Sequence, residues 1–281
     1  MELLSLSAPT AFSMAAVVAW GTSDFTGGFA ARRTNAFLIT AIAHLSGLIL
    51  MTGVALAIHA PFPSRTAVAW ALLAGLSGGG ALAIFYRALA MGRMGLTAPV
   101  AALLGAAIPT VFGIFREGLP QAAQVTGFVL AAAGIWLISR TEDASPPEGI
   151  GIAALAGIGF AGFYLCIKQA GDGSAYWLAA TSKISSFTLT GMIVLLGRGT
   201  REIDLRGAAL GVLAGCLDII GSVLFIRASQ TGRLDAAVVL SSLYPAITVL
   251  LARLILKEHF TRWKALGMFA ALLAVPMIAW R

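Results

Sequence analysis

The sequence predicts an all-α integral membrane protein whose ten transmembrane helices form two inverted five-helix repeats. Three observations carry this prediction. Hydrophobic residues make up 59% of the 281 and charged residues only 11%, against about 25% charged in ordinary globular chains. The apolar residues fall into ten runs, each close to the ~20 residues that span a bilayer as a helix. Finally, the chain states one apolar unit twice, and a repeat constrains the fold more than any single segment does.

The first run, 10–31, follows nine residues that carry Glu2 and neither Lys nor Arg. A cleavable leader begins with a positive region, so this run is expected to be a retained span. The next four are 36–58, 67–87, 95–115 and 121–139. The stretch Arg140 to Glu148 holds three acids and two prolines and separates the halves, giving units of 1–140 and 149–281. The second unit then runs 149–168, 174–197, 206–227, 234–256 and 263–280. The runs are continuous and lack period-two alternation, which indicates helices rather than barrel strands.

The duplication is visible in particular residues. Phe85-Tyr86-Arg87-Ala88, Gly92-Arg93 and Arg116-Glu117 return as Phe225-Ile226-Arg227-Ala228, Gly232-Arg233 and Lys257-Glu258. Trp20-Gly21 falls opposite Phe160-Ala161, and His44-x-Ser46 opposite Lys183-x-Ser185. Five spans is an odd number, so the second copy enters the bilayer from the opposite side. In secondary transporters of that build, the substrate site lies near the midplane between the halves. Gly75 with Gly79, and Gly207 with Gly211 and Gly215, make small-xxx-small faces that let helices approach closely.

The formal charge of +7 would suggest nucleic acid in a soluble chain. Here the basic residues stand singly between apolar runs and form no stripe, which excludes a nucleic-acid footprint and fits interfacial anchoring. The Lys and Arg residues crowd the side opposite the termini, and the positive-inside rule then sets both termini outside. Cys166 and Cys216 have no partner at metal-ligand spacing and read as packing residues. No metal or cofactor is expected. Gly157-x-Gly159-x-x-Gly162 spells the dinucleotide fingerprint but lacks the preceding strand, so a phosphate-cradling turn is not expected there. There is no Walker-type loop.

Ionisable groups inside a bilayer are functional candidates, because a central charge costs at least about 2.5–3.5 kcal/mol. Asp218 lies mid-span in the eighth run, opposite Gly78 of the first repeat. Lys183 is central in the seventh, where the first repeat carries His44. These three are candidates for ion coupling or an ion pair. Asp24 shares a face with Val17, Trp20 and Gly28, and either contacts substrate or reaches water near Arg32. Trp20, Tyr86 and Tyr164 are candidate cavity walls. Pro109 and Pro245 sit mid-span and free backbone carbonyls; Ser241, Ser242 and Tyr244 lie beside the second. Glu117 and Glu258 read as capping groups.

Trp20-Gly21, Tyr86-Arg87-Ala88-Leu89 before Gly92, Arg116-Glu117, Lys257-Glu258 and Lys168 closing the sixth run together resemble the EamA-type repeats of the drug/metabolite transporter superfamily. The resemblance covers essentially the whole chain. It implies two inverted five-helix halves around a central cavity, cytoplasmic termini, and movement of amino acids, their derivatives or drug-like compounds across a bacterial-type inner membrane. Export by alternating access is implied, with protons or the substrate's own gradient as the driving force. The expected partners are the small-molecule substrate and the bilayer, with the chain a monomer or homodimer. The competing expectation is a membrane enzyme acting on a lipid-linked substrate, but the dispersed acids and three histidines fit that poorly.

Overall fold

The computed structural model of the protein describes residues 2–92, 94–139, 149–197, 202, 204–258 and 261–279. The seam at 140–148 and Arg93 lie outside them, as does the side chain of Glu117. The described residues form α-helices joined by short turns. They are α1 (Glu2–Ala31), α2 (Ala36–Ala57), α3 (Arg65–Met91), α4 (Met94–Glu117), α5 (Ala122–Ser139), α6 (Ile150–Gln169), α7 (Ala175–Leu196), α8 (Leu205–Thr231), α9 (Leu234–Ser241), α10 (Tyr244–Leu256) and α11 (Arg262–Ala279). Among the described residues seven stretches are long and apolar enough to cross a membrane, and Ala122–Leu137 is a shorter apolar helix.

The helix starts follow local chemistry. Asn35 accepts a bond from the Phe37 amide at 2.9 Å, Ser64 from Ala67 at 3.2 Å and Asp204 from Gly207 at 2.8 Å. Each side chain satisfies one of the amides that a helix start leaves unpaired.

Four elements differ from the sequence expectation. Helix α1 begins at Glu2 rather than near residue 10, running through Pro9, which forgoes one intrahelical amide bond. Helices α3 and α8 carry 27 residues each, so the Tyr86-Arg87-Ala88 motif and its echo are helical rather than boundaries. The ninth run is broken into α9 and α10 at Ser242 and Leu243. Pro245 lacks an amide hydrogen, and its ring crowds the carbonyl four residues back, which belongs to Ser241. Helix α4 runs unbroken through Pro99 and Pro109.

Packing brings the two halves of the chain together helix by helix: α1 against α8, α3 against α6, α2 against α7 and α5 against α11. Where α3 meets α7, Ser185 Oγ donates to the Leu72 carbonyl at 2.7 Å, and Ser186 Oγ to that of Gly75 at 2.8 Å. Where α2 meets α8, Ser46 Oγ donates to the Val212 carbonyl at 3.3 Å. Gly75 lies directly against the Ser182 backbone, and Gly215 against that of Ala43. The three glycines of the dinucleotide-like motif do similar work on α6. Gly157 faces the Ala101 carbonyl, Gly159 faces Ala81, and Gly162 faces Ser77, whose Oγ donates to the Gly159 carbonyl at 2.8 Å.

Helix ends are tied across the halves. Trp177 Nε1, at the start of α7, donates to the Ala60 carbonyl just past α2 at 2.9 Å. Arg233, preceding α9, donates to the Gly118 carbonyl past α4 at 2.8 Å. Lys257 takes φ 55 at the end of α10. There Glu258 Oε1 accepts from Arg32 and from the Met94 amide, each at 3.3 Å. The outer surface is apolar, with Ile49, Val129, Trp136, Leu195 and Leu254 all exposed, as a lipid-facing surface should be.

Candidate functional site

Helices α1, α3, α6, α7, α8 and the start of α10 enclose a cavity with an empty volume of about 510 Å³, counted to its mouth. Its walls include Trp20, Asp24, Leu82, Phe160, Phe163, Tyr164, Ser182, Lys183, Ser186, Asp218, Ser222 and Tyr244.

The charged pair at its centre comes from α7 and α8. Lys183 Nζ donates to Asp218 Oδ2, and both residues are buried, at 6% and 8% exposure. Asp218 also accepts through its backbone carbonyl, from Trp20 Nε1 at 3.2 Å and from Ser222 Oγ at 2.9 Å. The first half carries His44 and Gly78 at the matching positions. There the His44 Nε2 lies 3.4 Å from the Gly79 carbonyl oxygen, so a contact to backbone stands where the second half has an ion pair.

Asp24 is 6% exposed and faces the cavity. It has no hydrogen-bond or ion-pair partner among the described residues, so its alternative placement, reaching water near Arg32, is not what the fold adopts. Arg32 instead pairs with Glu258.

The aromatic residues form two clusters beside the cavity. Tyr164 packs 6.1 Å from Trp20, 4.8 Å from Phe225 and 5.8 Å from Phe163, between ring centres. Phe85 bridges Phe160 at 5.4 Å and Tyr244 at 6.4 Å. Aromatic faces carry negative potential that attracts cations.

Of the residues singled out from the sequence, Trp20, Asp24, Tyr164, Lys183, Asp218 and Tyr244 meet at this cavity. Three do not line it. Tyr86 is fully buried behind it, its hydroxyl 3.2 Å from Ser23 Oγ. His44 is fully buried, its ring against the carbonyl of Gly79. Ser241 is buried at the end of α9 with its hydroxyl unpartnered.

Sequence reasoning passes over Ser182, Ser186 and Ser222. Serines spaced by four, or standing four after Asp218, look like ordinary intrahelical hydroxyls, although Ser186 also bonds the Gly75 carbonyl across the α3–α7 contact. Cys166 and Cys216 are free thiols. Glu258, which reads as a cap in the sequence, instead bonds two other segments.

Comparison with curated proteins returned no match. Among solved structures, a crystal structure described only as that of a protein superposes with a TM-score of 0.73. It covers 96% of both chains at 17% identity, a likeness that speaks to the fold alone. Residues 147–280 match the EamA-like transporter family. Through that second half the chain is similar to the EamA-like transporters of the drug/metabolite transporter superfamily, and with its apolar helices it is an integral membrane protein.

Proposed function

We propose that the protein is a secondary transporter that carries small metabolites through the central cavity by alternating access between two inverted halves. The halves are residues 1–140 and 149–281, and the membrane is a bacterial-type inner membrane. The observation that carries this reading is the paired geometry of the two α-helix contacts flanking the cavity. Ser185 bonds Leu72 beside Gly75 and Ser182, and Ser46 bonds Val212 beside Gly215 and Ala43. Such matched contacts are what a two-fold axis between equivalent halves produces.

The sense of the helices supports inversion. The end of α2 meets the start of α7, and the end of α4 meets the start of α9, so equivalent helices run antiparallel. Bonds close both ends of the bundle: Glu258 with Arg32 and Met94 at one, Arg233 with Gly118 at the other. Rocking of the halves would break one set while the other holds, which is the requirement of alternating access.

Asp218 and Lys183 lie where substrate or a proton would pass, and the coupling is assigned to them. Amino acids, their derivatives and drug-like compounds are the substrate field, and export is the direction the family relationship favours. Flux in proteoliposomes, with a panel of amino acids and amines under an imposed pH gradient, tests the reading. Saturable flux of at least one class is expected. Asp218→Asn is expected to abolish or uncouple that flux while membrane insertion is retained. Absence of flux for every class would refute the transporter, and wild-type flux with unchanged pH dependence in Asp218→Asn would refute the role of this carboxylate.

A further inference from the structure

We infer that the cavity takes a small organic cation lacking a carboxylate, with the Asp24 carboxylate as counter-ion and Trp20, Tyr164 and Tyr244 as walls. This rests on the transport reading for its purpose but not for its geometry. Among the described residues, three charged side chains line the cavity: Asp24, Lys183 and Asp218. Lys183 and Asp218 are bonded to each other, which leaves the negative charge of Asp24 without a counterpart. A buried carboxylate with no partner is costly, and a cationic ligand removes that cost by supplying one.

The remaining wall narrows the chemistry. A divalent metal requires six or more oxygen ligands, or an octahedral shell that keeps its waters. Among the described residues no three His, Cys, Asp or Glu side chains gather to hold one, and Asp218 is already engaged by Lys183. What the cavity offers instead is ring surface, on which an ammonium or guanidinium gains cation–π attraction while its apolar body is desolvated. A zwitterionic amino acid would bring a carboxylate into a site whose lysine is engaged. A proton alone would neutralise Asp24 but leaves the aromatic wall without a role.

The test uses the purified full-length protein in detergent and isothermal titration with phenyltrimethylammonium, a cation that cannot lose a proton. Phenethylamine, phenylalanine and benzyl alcohol serve as comparisons. Both cations are expected to bind at one site, with phenylalanine and benzyl alcohol at least tenfold weaker. Asp24→Asn is expected to lower cation affinity at least tenfold, Asp24→Glu to keep it within about threefold, and Tyr164→Leu to lower it several-fold.

Melting curves identify any variant that fails to fold, and the ligand series on the wild type decides the matter independently of every variant. Phenylalanine binding as tightly as phenethylamine would overturn the inference. So would folded Asp24→Asn binding the cations like wild type, which is the result a proton-carrying role alone would give. Cation binding without flux of any class sinks the transporter and leaves the cation site standing. Flux of another class without cation binding sinks the cation site and leaves the transporter.

Discussion

Lys183→Met is expected to lower the stability of the folded protein by about 3–5 kcal/mol, the cost of stranding one member of a buried ion pair. Asp218 is 8% exposed, and once Lys183 is gone its side chain has no other hydrogen bond among those described. The carboxylate must then stay charged in a low-dielectric wall or take up a proton, and both alternatives cost free energy relative to the pair. Unfolding in mixed micelles, followed by tryptophan emission, measures the loss. The double variant Lys183→Met with Asp218→Leu is expected to recover most of it, because apolar replacements of similar volume pack as well as a buried pair or better. Flux is expected to stay lost in the double variant. That split separates a coupling role from a purely structural tether: a tether replaced by good packing would return transport along with stability. Full flux in the double variant would remove the pair from the mechanism.

The two members of this pair are each conspicuous in the sequence, since a charge at mid-span is rare and costly. Their partnership is not. Periodicity locates a residue along a helix, whereas partnership depends on the rotation of α7 against α8, and long apolar helices say little about rotation when nearly every face is hydrophobic. The same limit explains Tyr86, which lies one helix turn from cavity wall Leu82 yet points away toward Ser23. Repeat matching does better than periodicity. His44-x-Ser46 against Lys183-x-Ser185 locates the two serines that bond across the α2–α8 and α3–α7 contacts, as copies of one unit making the same contact would. The break between α9 and α10 is half legible. Pro245 marks the position, but Pro109 sends the same signal within a helix that continues.

Gly75→Val and Gly215→Val are each expected to destabilise the protein by about 1–3 kcal/mol or more, and the pair together to abolish folded protein. The reason is what a Cβ would meet. At Gly75 it would run into the Ser182 carbonyl, and at Gly215 into that of Ala43. Neither obstacle is a flexible side chain that can swing aside, so relief comes only from parting α3 from α7, or α2 from α8. Parting them also stretches the Ser185–Leu72 and Ser46–Val212 bonds, so the damage extends beyond the added methyls. Glycine can be explained differently, as a source of helix flexibility, and Gly191 separates the two accounts. It lies inside α7, and a Cβ there would have no neighbour within 4 Å, so Gly191→Ala adds helix propensity without a collision. A gain of up to about 1 kcal/mol is expected. If flexibility were the purpose of these glycines, Gly191→Ala would impair the protein much as Gly75→Val does; if close approach is, the signs are opposite. Detergent melting temperatures of Gly75→Val, Gly215→Val and Gly191→Ala, taken side by side, give the answer directly.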